Sequence, residues 1–295
     1  MGVYYTDKIK IPPRGIVIKG ADMNINNTED LSKLKLSDLF EAIASERKPV
    51  PIYKDGKEIE PHHFSRLGEI SYSDAVIVLN INKELRERFI EEYPEYGPSV
   101  AKAGDVVKFG SYIQNGENKD SIEWIVLARD RNSLKLVSKY GLDCKTYNDV
   151  YENITWEDAT LRKWLNSEFV EEAFSKEEKM MIPYTSVKID DLDNIYANHG
   201  NNTSDKVFLL SATEAKLYFE SDKARQCKAT KFAVAHGAYE NSENGNCWYW
   251  LRTPGWAPMA YCQTNVKDKG DISLVGDSVE HTDNAVRPAI WVGID

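Results

Sequence analysis

The strongest constraint on the fold is the way runs of period-two apolar residues bracket the helical runs between residues 104 and 292. GDVVKFGSYIQ (104–114), SIEWIVLARD (121–130) and SLKLVSKYGLD (133–143) alternate as strands, the last two joined tightly through Asp130, Arg131 and Asn132. ITWEDATLRKWLNSEFVEEAF (154–174) then reads as a helix. Its Thr155 and Asp158 are spaced as an N-terminal cap, and Leu161, Trp164 and Leu165 form its inward face. Ser175 with Glu178 and Ser211 with Glu214 are spaced as capping boxes that open two further helices, and VFLLS (207–211) between them is a strand. WYWLR, AYCQTNV, GDISLVG and AVRPAIWV close the chain as strands joined by Gly- and Asp-rich turns. Strands, then helices, then closing strands specify an α+β fold and not a wound parallel sheet.

The first hundred residues predict a separate, small α+β module. IVIKG (16–20) is a short strand, and the apolar positions from Leu31 to Ala44 recur at helical spacing. Residues 49–61 form a hairpin turning at Asp55 and Gly56, SDAVIVLNIN (73–82) is a buried strand, and KELRERFIEEY (83–93) is a charged helix. The prolines and glycines of 93–104 predict a linker, which divides the chain into residues 1–100 and 104–295. A mounting or oligomerising role is the expectation for the first part.

Composition removes several function classes. A net charge of −10 and a pI near 5.2 oppose binding to nucleic acid or to an anionic membrane. No run approaches the length needed to span a bilayer, and the start of the chain lacks the basic and apolar regions of a secretory signal, so cytoplasmic residence is the expectation. Cys144, Cys227, Cys247 and Cys262 show no metal-ligand spacing and read as free thiols, with a Cys247–Cys262 bridge open if their strands are neighbours. The adjacent His62 and His63 point to opposite sides of a strand and lack a ligand-spaced partner; His199, His236 and His281 lack one too, and His236 reads as a helix cap. Nucleotide, zinc-protease, hydrolase and EF-hand motifs are absent, so neither a cofactor, a metal nor a catalytic set is expected.

The series FGSY (109–112), IEWIVLARD (122–130), SKYGLDCKTYN (138–148), TWEDATLRKWLNSEF (155–169), KVFLLSATEA (206–215), CWYWLRTPG (247–255) and AVRPAIWV (285–292) resembles an uncharacterised bacterial domain family. That family belongs to the C-type-lectin-like fold, in the branch shared with formylglycine-generating enzymes. The resemblance implies helices packed on a twisted, loop-rich sheet whose C-terminal loops carry a ligand surface. Some proteins of this fold are the variable proteins of diversity-generating retroelements, in which the stretch before the final Arg-Pro strand is diversified to bind different partners. Departures from other members matter as much. The closely spaced copper-binding cysteines of formylglycine-generating enzymes have no counterpart here, since Cys247 and Cys262 are 15 positions apart. The Glu-Pro-Asn and Trp-Asn-Asp patterns of calcium-dependent sugar-binding lectins are missing as well, although Asp277, Glu280, Asp283 and Asn284 offer oxygen ligands.

Strand periodicity divides the closing region into scaffold and surface. Trp248 and Trp250 share a strand face expected to be core, as is Trp164, while Arg252 and Arg287 are expected to stitch loops through buried carboxylates or carbonyls. Trp256 follows the Pro254–Gly255 turn. In MAYCQTNVK (259–267), Met259, Tyr261, Gln263, Asn265 and Lys267 share one face opposite Ala260, Cys262, Thr264 and Val266. With Asp277, His281 and Asn284 from the last loop, that face predicts a surface over about 253–284 for an unknown macromolecular ligand, protein or glycan. Catalysis by an oxidase of the formylglycine-generating branch, and a structural part in a phage tail or surface fibre, are the alternative readings.

Overall fold

Most period-two runs become strands, and among the described residues the longer ones assemble into two five-stranded sheets beside three two-stranded hairpins or ladders. The structure is a computed structural model, and it describes residues 16–18, 21–23, 34–47, 49–54, 57–59, 70–190, 200–255 and 262–294. Ten strands build two five-stranded sheets: β1 (Val106–Ile113), β2 (Lys119–Arg129), β3 (Ser133–Ser138), β4 (Asp143–Cys144), β5 (Val207–Phe208), β6 (Tyr249–Pro254), β7 (Cys262–Val266), β8 (Ile272–Ser278), β9 (Ala285–Val286) and β10 (Ala289–Gly293). The first sheet has the order β5-β10-β3-β2-β1 and is antiparallel throughout. The second has the order β8-β7-β6-β9-β4, with β6 and β9 parallel at Tyr249 and Ala285. The architecture is α+β, with antiparallel pairing dominant, as strands separated by helical runs require.

Three helices of the N-terminal region are described: α1 (Leu36–Ala44), α2 (Tyr72–Ile81) and α3 (Lys83–Glu92). The expected strand over 73–82 is therefore a helix. Ser71 caps it by accepting the Asp74 amide at 3.1 Å, and Ala75, Val78 and Leu79 are buried at helical spacing. The β-branched run hides that period, because Val76 and Ile77 are only partly buried on its flank. The hairpin expected around Asp55–Gly56 pairs Ile52 with Ile59.

Residues 93–104, expected to be a linker, are packed instead. Tyr93, Tyr96, Val100 and Ala101 are buried, Gly97–Val100 forms a single helical turn, and the Phe40 ring stacks on Tyr93 at 4.2 Å. Arg86 and Asp105 form a buried two-pronged ion pair, with contacts of 2.6 and 3.2 Å. Arg129 of β2 donates to the carbonyls of Pro98, Ser99 and Ala101. The buried side chains from Leu34 to Ile294 form one contiguous core.

The central helix departs from expectation at its start and on its inward face. It runs as α4 from Thr160 to Ala173, with a π-helical turn at Leu165–Phe169 between two α-helical segments. Thr155 does not cap it. Asn148, brought in by the fold, accepts the Thr160 amide at 3.1 Å, and the buried Thr155 hydroxyl has no hydrogen-bond partner. The extra residue of the π turn sets Leu161, Leu165 and Phe169 inward. Trp164, expected in the core, is only half-buried, with the Lys145 ammonium 4.5 Å from its ring centroid.

The capping boxes form as the spacing predicts. Ser175 opens α5 (Lys176–Met181) and Ser211 opens α6 (Ala212–Tyr218), each exchanging two hydrogen bonds with the glutamate three positions on. The first box also fastens α5 to the sheet, because Glu178 accepts the Gly110 amide at 2.9 Å. Gly110 sits at φ +67° with a would-be Cβ 2.6 Å from the Phe174 ring, so only glycine fits there. No helix among the described residues is long and apolar enough to cross a membrane.

Candidate functional site

Arg252, on the central strand of the second sheet, is the scaffold behind the candidate surface. Its guanidinium donates to the carbonyls of Leu209 (2.6 Å) and Lys188 (3.1 Å) and pairs with Glu214, the capping glutamate of α6, which also meets Lys135 at 2.6 Å. Both expected partner types, carboxylate and carbonyl, are present. Burial alone would push the Glu214 carboxyl up; Arg252 and Lys135 outweigh it and hold it at about 2, from an ordinary 4.5. A depressed carboxylate gives stability that is complete above the unfolded value near 4.5 and is lost as pH falls toward 2. That contribution is worth about 3 kcal/mol. Glu214→Gln should therefore flatten the acid limb of a pH–stability curve in this window, measured by urea melts. An unchanged limb would show that Glu214 is not the group responsible.

At its start, β6 emerges from the core onto an outer face. Trp250 is fully buried, with its indole N–H 2.9 Å from the Lys145 carbonyl. Trp248, expected on the same core face, is half-buried instead, because it precedes the strand and lies outside its alternation. Its ring stacks on Tyr239 at 4.3 Å, and the Lys267 ammonium stands 3.6 Å from its centroid. Its N–H donates to Asp268 at 3.2 Å, and Asn241 donates to the other oxygen of Asp268 at 2.7 Å. Although burial opposes it, hydrogen bonds from Asn241 and Trp248 hold the Asp268 carboxyl below its ordinary range.

Beside this indole stands Asp277 of β8. Lys267 meets its Oδ2 at 2.9 Å, Asn265 donates to the same oxygen at 2.9 Å and Asn284 at 3.2 Å, while His281 Nδ1 lies 3.0 Å from Oδ1. Partial burial would raise this carboxyl, but the lysine and asparagine hydrogen bonds and the neighbouring charges pull it down. Asn265 also donates to Asn284 Oδ1 at 2.7 Å. Asn265 and Asn284, expected at the solvent-facing rim, are both fully buried. The alternation fails because β7 shifts register between Gln263 and Asn265, turning Asn265 under the loop that carries Asn284. Its Oδ1 is left without a partner.

Of the expected ligand residues, the structure therefore joins Lys267, Asp277 and His281 at the surface and sets Asn265 and Asn284 beneath them. Trp256, Met259 and Tyr261 lie outside the described residues, as do His62, His63 and His199; Gln263 pairs with Asp277 across β7 and β8. Sequence patterning missed Tyr239, Asn241 and Asp268. The one local signal is the turn-rich run ENSENGN after Tyr239, which predicts a loop without saying what it packs against. Below His281, Thr146, Asp149, Glu280, Thr282 and Asp283 complete a shallow cleft of about 490 Å³.

Asp277, His281 and Asp283 place one ligand atom each within 4.8 Å of one another, a spacing a metal ion could use. The Lys267 ammonium compensates one of the cluster's two carboxylates, Asp277. A second polar group lies at β4. Asp143 is buried, accepts from the Tyr112 hydroxyl at 2.8 Å and sits 2.7 Å from His236 Nδ1. His236, expected as a helix cap, does end the helix Lys231–Ala235 while its ring is held by this carboxylate. The adjacent Cys144 thiol donates to the carbonyls of Thr282 and Asn284, and burial, with Asp143 and Asp283 nearby, pushes it up to about 12. A thiol so held is not an activated nucleophile.

Cys144, Cys227 and Cys247 are free, so Cys247 is not bridged to Cys262. Comparison with curated proteins and with solved structures returns no match. The family model that does match covers residues 131–294, from the turn before β3 to the end of β10, and leaves β1 and β2 outside although they complete the first sheet. The chain thus belongs to the family described as a domain of unknown function, DUF6273.

Proposed function

We propose that this protein is a non-catalytic binding protein that takes a macromolecular partner, protein or glycan, on the surface formed by residues 253–284 with Tyr239 and Trp248. The observation that carries the reading is the use of two wholly buried asparagines, Asn265 and Asn284, to hold one partly buried aspartate, Asp277. Burying amides costs stability unless they are paired, and a network that leaves Asn265 Oδ1 unpaired is retained at a cost. Such supporting shells fix the geometry of groups that recognise something. The clamped Trp248 ring adds a rigid aromatic face, the kind of residue that dominates interface energies.

In this reading residues 104–295 form a C-type-lectin-like domain. Its support is the α+β architecture and the motif series that resembles that fold. Diversification of the C-terminal stretch by a retroelement would fit the same surface, and a reverse-transcriptase gene beside an imperfect repeat of these codons is its genomic signature. The binding test pairs Trp248→Ala with His281→Ala. Affinity for a partner recovered from the encoding cells should fall more than about tenfold, or 1.4 kcal/mol. The double variant should still melt cooperatively. Unchanged affinity would place the binding surface elsewhere.

A further inference from the structure

Cys227 and Cys247 are 20 positions apart in the chain but face each other in the fold. Lys228 and Asn246 form an antiparallel bridge, and the Cys247 amide donates to the Cys227 carbonyl at 2.8 Å, so the two cysteines are the next opposed pair. Opposed residues that share backbone hydrogen bonds in this way have Cα atoms about 5.5 Å apart. That separation lies inside the span a disulfide bridges, about 4.4–6.8 Å. Both side chains are buried, and Cys227 Sγ lies 3.5 Å from the carbonyl oxygens of Lys139 and Lys228.

The charge beside them is unusual. Arg287 is 2% exposed, and its guanidinium donates to the carbonyls of Ser138 and Arg225 and to the Tyr249 hydroxyl, all neutral groups. Among the described residues no carboxylate stands within ion-pair distance of it. A buried cation needs a counter-charge, and an ionised Cys227 would supply one. Burial would push the Cys227 thiol up, but the hydrogen bond from Cys247 and the Arg287 charge bring it below its ordinary value. Cys144 moves the opposite way, because burial and the charges of Asp143 and Asp283 outweigh that of Lys145.

We propose that Cys227 and Cys247 are a redox couple, a buried dithiol that closes reversibly to a disulfide in response to hydrogen peroxide. The Cys227 thiolate attacks one peroxide oxygen and breaks the O–O bond. Cys227 becomes a sulfenic acid, and the departing hydroxide leaves as water after taking a proton. Cys247 sulfur then attacks Cys227 sulfur and expels the second hydroxide, which leaves as water with the Cys247 proton. Two thiols are oxidised, one peroxide is reduced to two waters, and a thiol reductant reverses the change. Closure removes the anion from Arg287 and ties down the residue that precedes Trp248, which couples the couple's redox state to the aromatic face.

The test treats the intact folded protein with hydrogen peroxide, blocks remaining thiols under denaturing conditions and maps peptides by mass spectrometry. The expected product is lighter by two hydrogens and carries a Cys227–Cys247 linked peptide, which dithiothreitol opens. Cys144 remains a blocked thiol. In Cys247→Ser, a dimedone adduct should form at Cys227, since the resolving thiol is gone, and Cys144→Ser should oxidise like the parent. Peroxide consumption by Cys227→Ser should fall at least about tenfold. A link from either cysteine to Cys144 or Cys262 would overturn the proposal. So would retention of both thiols at peroxide levels that oxidise Cys144.

Discussion

Trp250→Ala is expected to cost about 3–5 kcal/mol, enough to remove much of the stability of an ordinary domain. The indole is fully buried, meets the Tyr147 ring edge-on at 5.7 Å and satisfies the Lys145 carbonyl. Alanine leaves a cavity that β6 cannot collapse, because that strand is buried along its whole length between β7 and β9. It also leaves a buried carbonyl without its donor. Trp248→Ala, two positions away, loses a stacked ring, a cation–π contact and the partly exposed hydrogen bond to Asp268, about 1–2 kcal/mol. Urea melts of the two variants should therefore differ sharply. Equal losses would mean that Trp248 belongs to the core after all.

Asp205→Asn should cost a similar amount, about 3–5 kcal/mol, while changing the side-chain shape hardly at all. This carboxylate is fully buried. Arg162 grips Oδ1 with two nitrogens at 2.7 Å, and Trp156 and Thr203 donate to Oδ2 at 3.0 and 2.6 Å. The network ties α4 to the segment leading into β5. An amide in that position turns a donor toward donors and leaves Arg162 without its counter-charge. A melt within about 1 kcal/mol of the parent would show that the pair's attraction merely balances its desolvation.

Local chemistry was legible in the sequence wherever the determinants are neighbours along the chain. Ser175 with Glu178 and Ser211 with Glu214 are capping boxes in the sequence and in the structure, because three-residue spacing is all a capping box needs. The strands β1 to β3 and the α+β class followed from the same local patterns. Helix α2 departs from the expected strand because a run of Ala, Val and Ile satisfies strand and helix alike, and the deciding cap, Ser71, lies outside the run. Trp164 left the core through a π turn that no pattern announces.

The candidate site was legible in its outer members and hidden in its support. Lys267, Asp277 and His281 lie in the predicted surface stretch and do meet there. Asn265 was assigned to solvent because strict alternation requires it, and one register shift reverses that assignment. Tyr239, Asp268, and the apposition of Cys227 with Cys247, depend on which segments the fold brings together, so residue spacing carries no trace of them.

The face around Trp248, Asp277 and His281 is where the partner is expected to bind. Site-specific photo-cross-linking measures this most directly. A benzophenone amino acid replaces His281 in one preparation and Met180 in another, both exposed positions, the latter on α5 against the first sheet. Irradiation of each in lysate from the encoding cells should yield one discrete adduct from position 281, displaced by excess unlabelled protein and weakened by Trp248→Ala, and none from position 180. Equal adducts from both positions, or a displaceable adduct from position 180 alone, would contradict it.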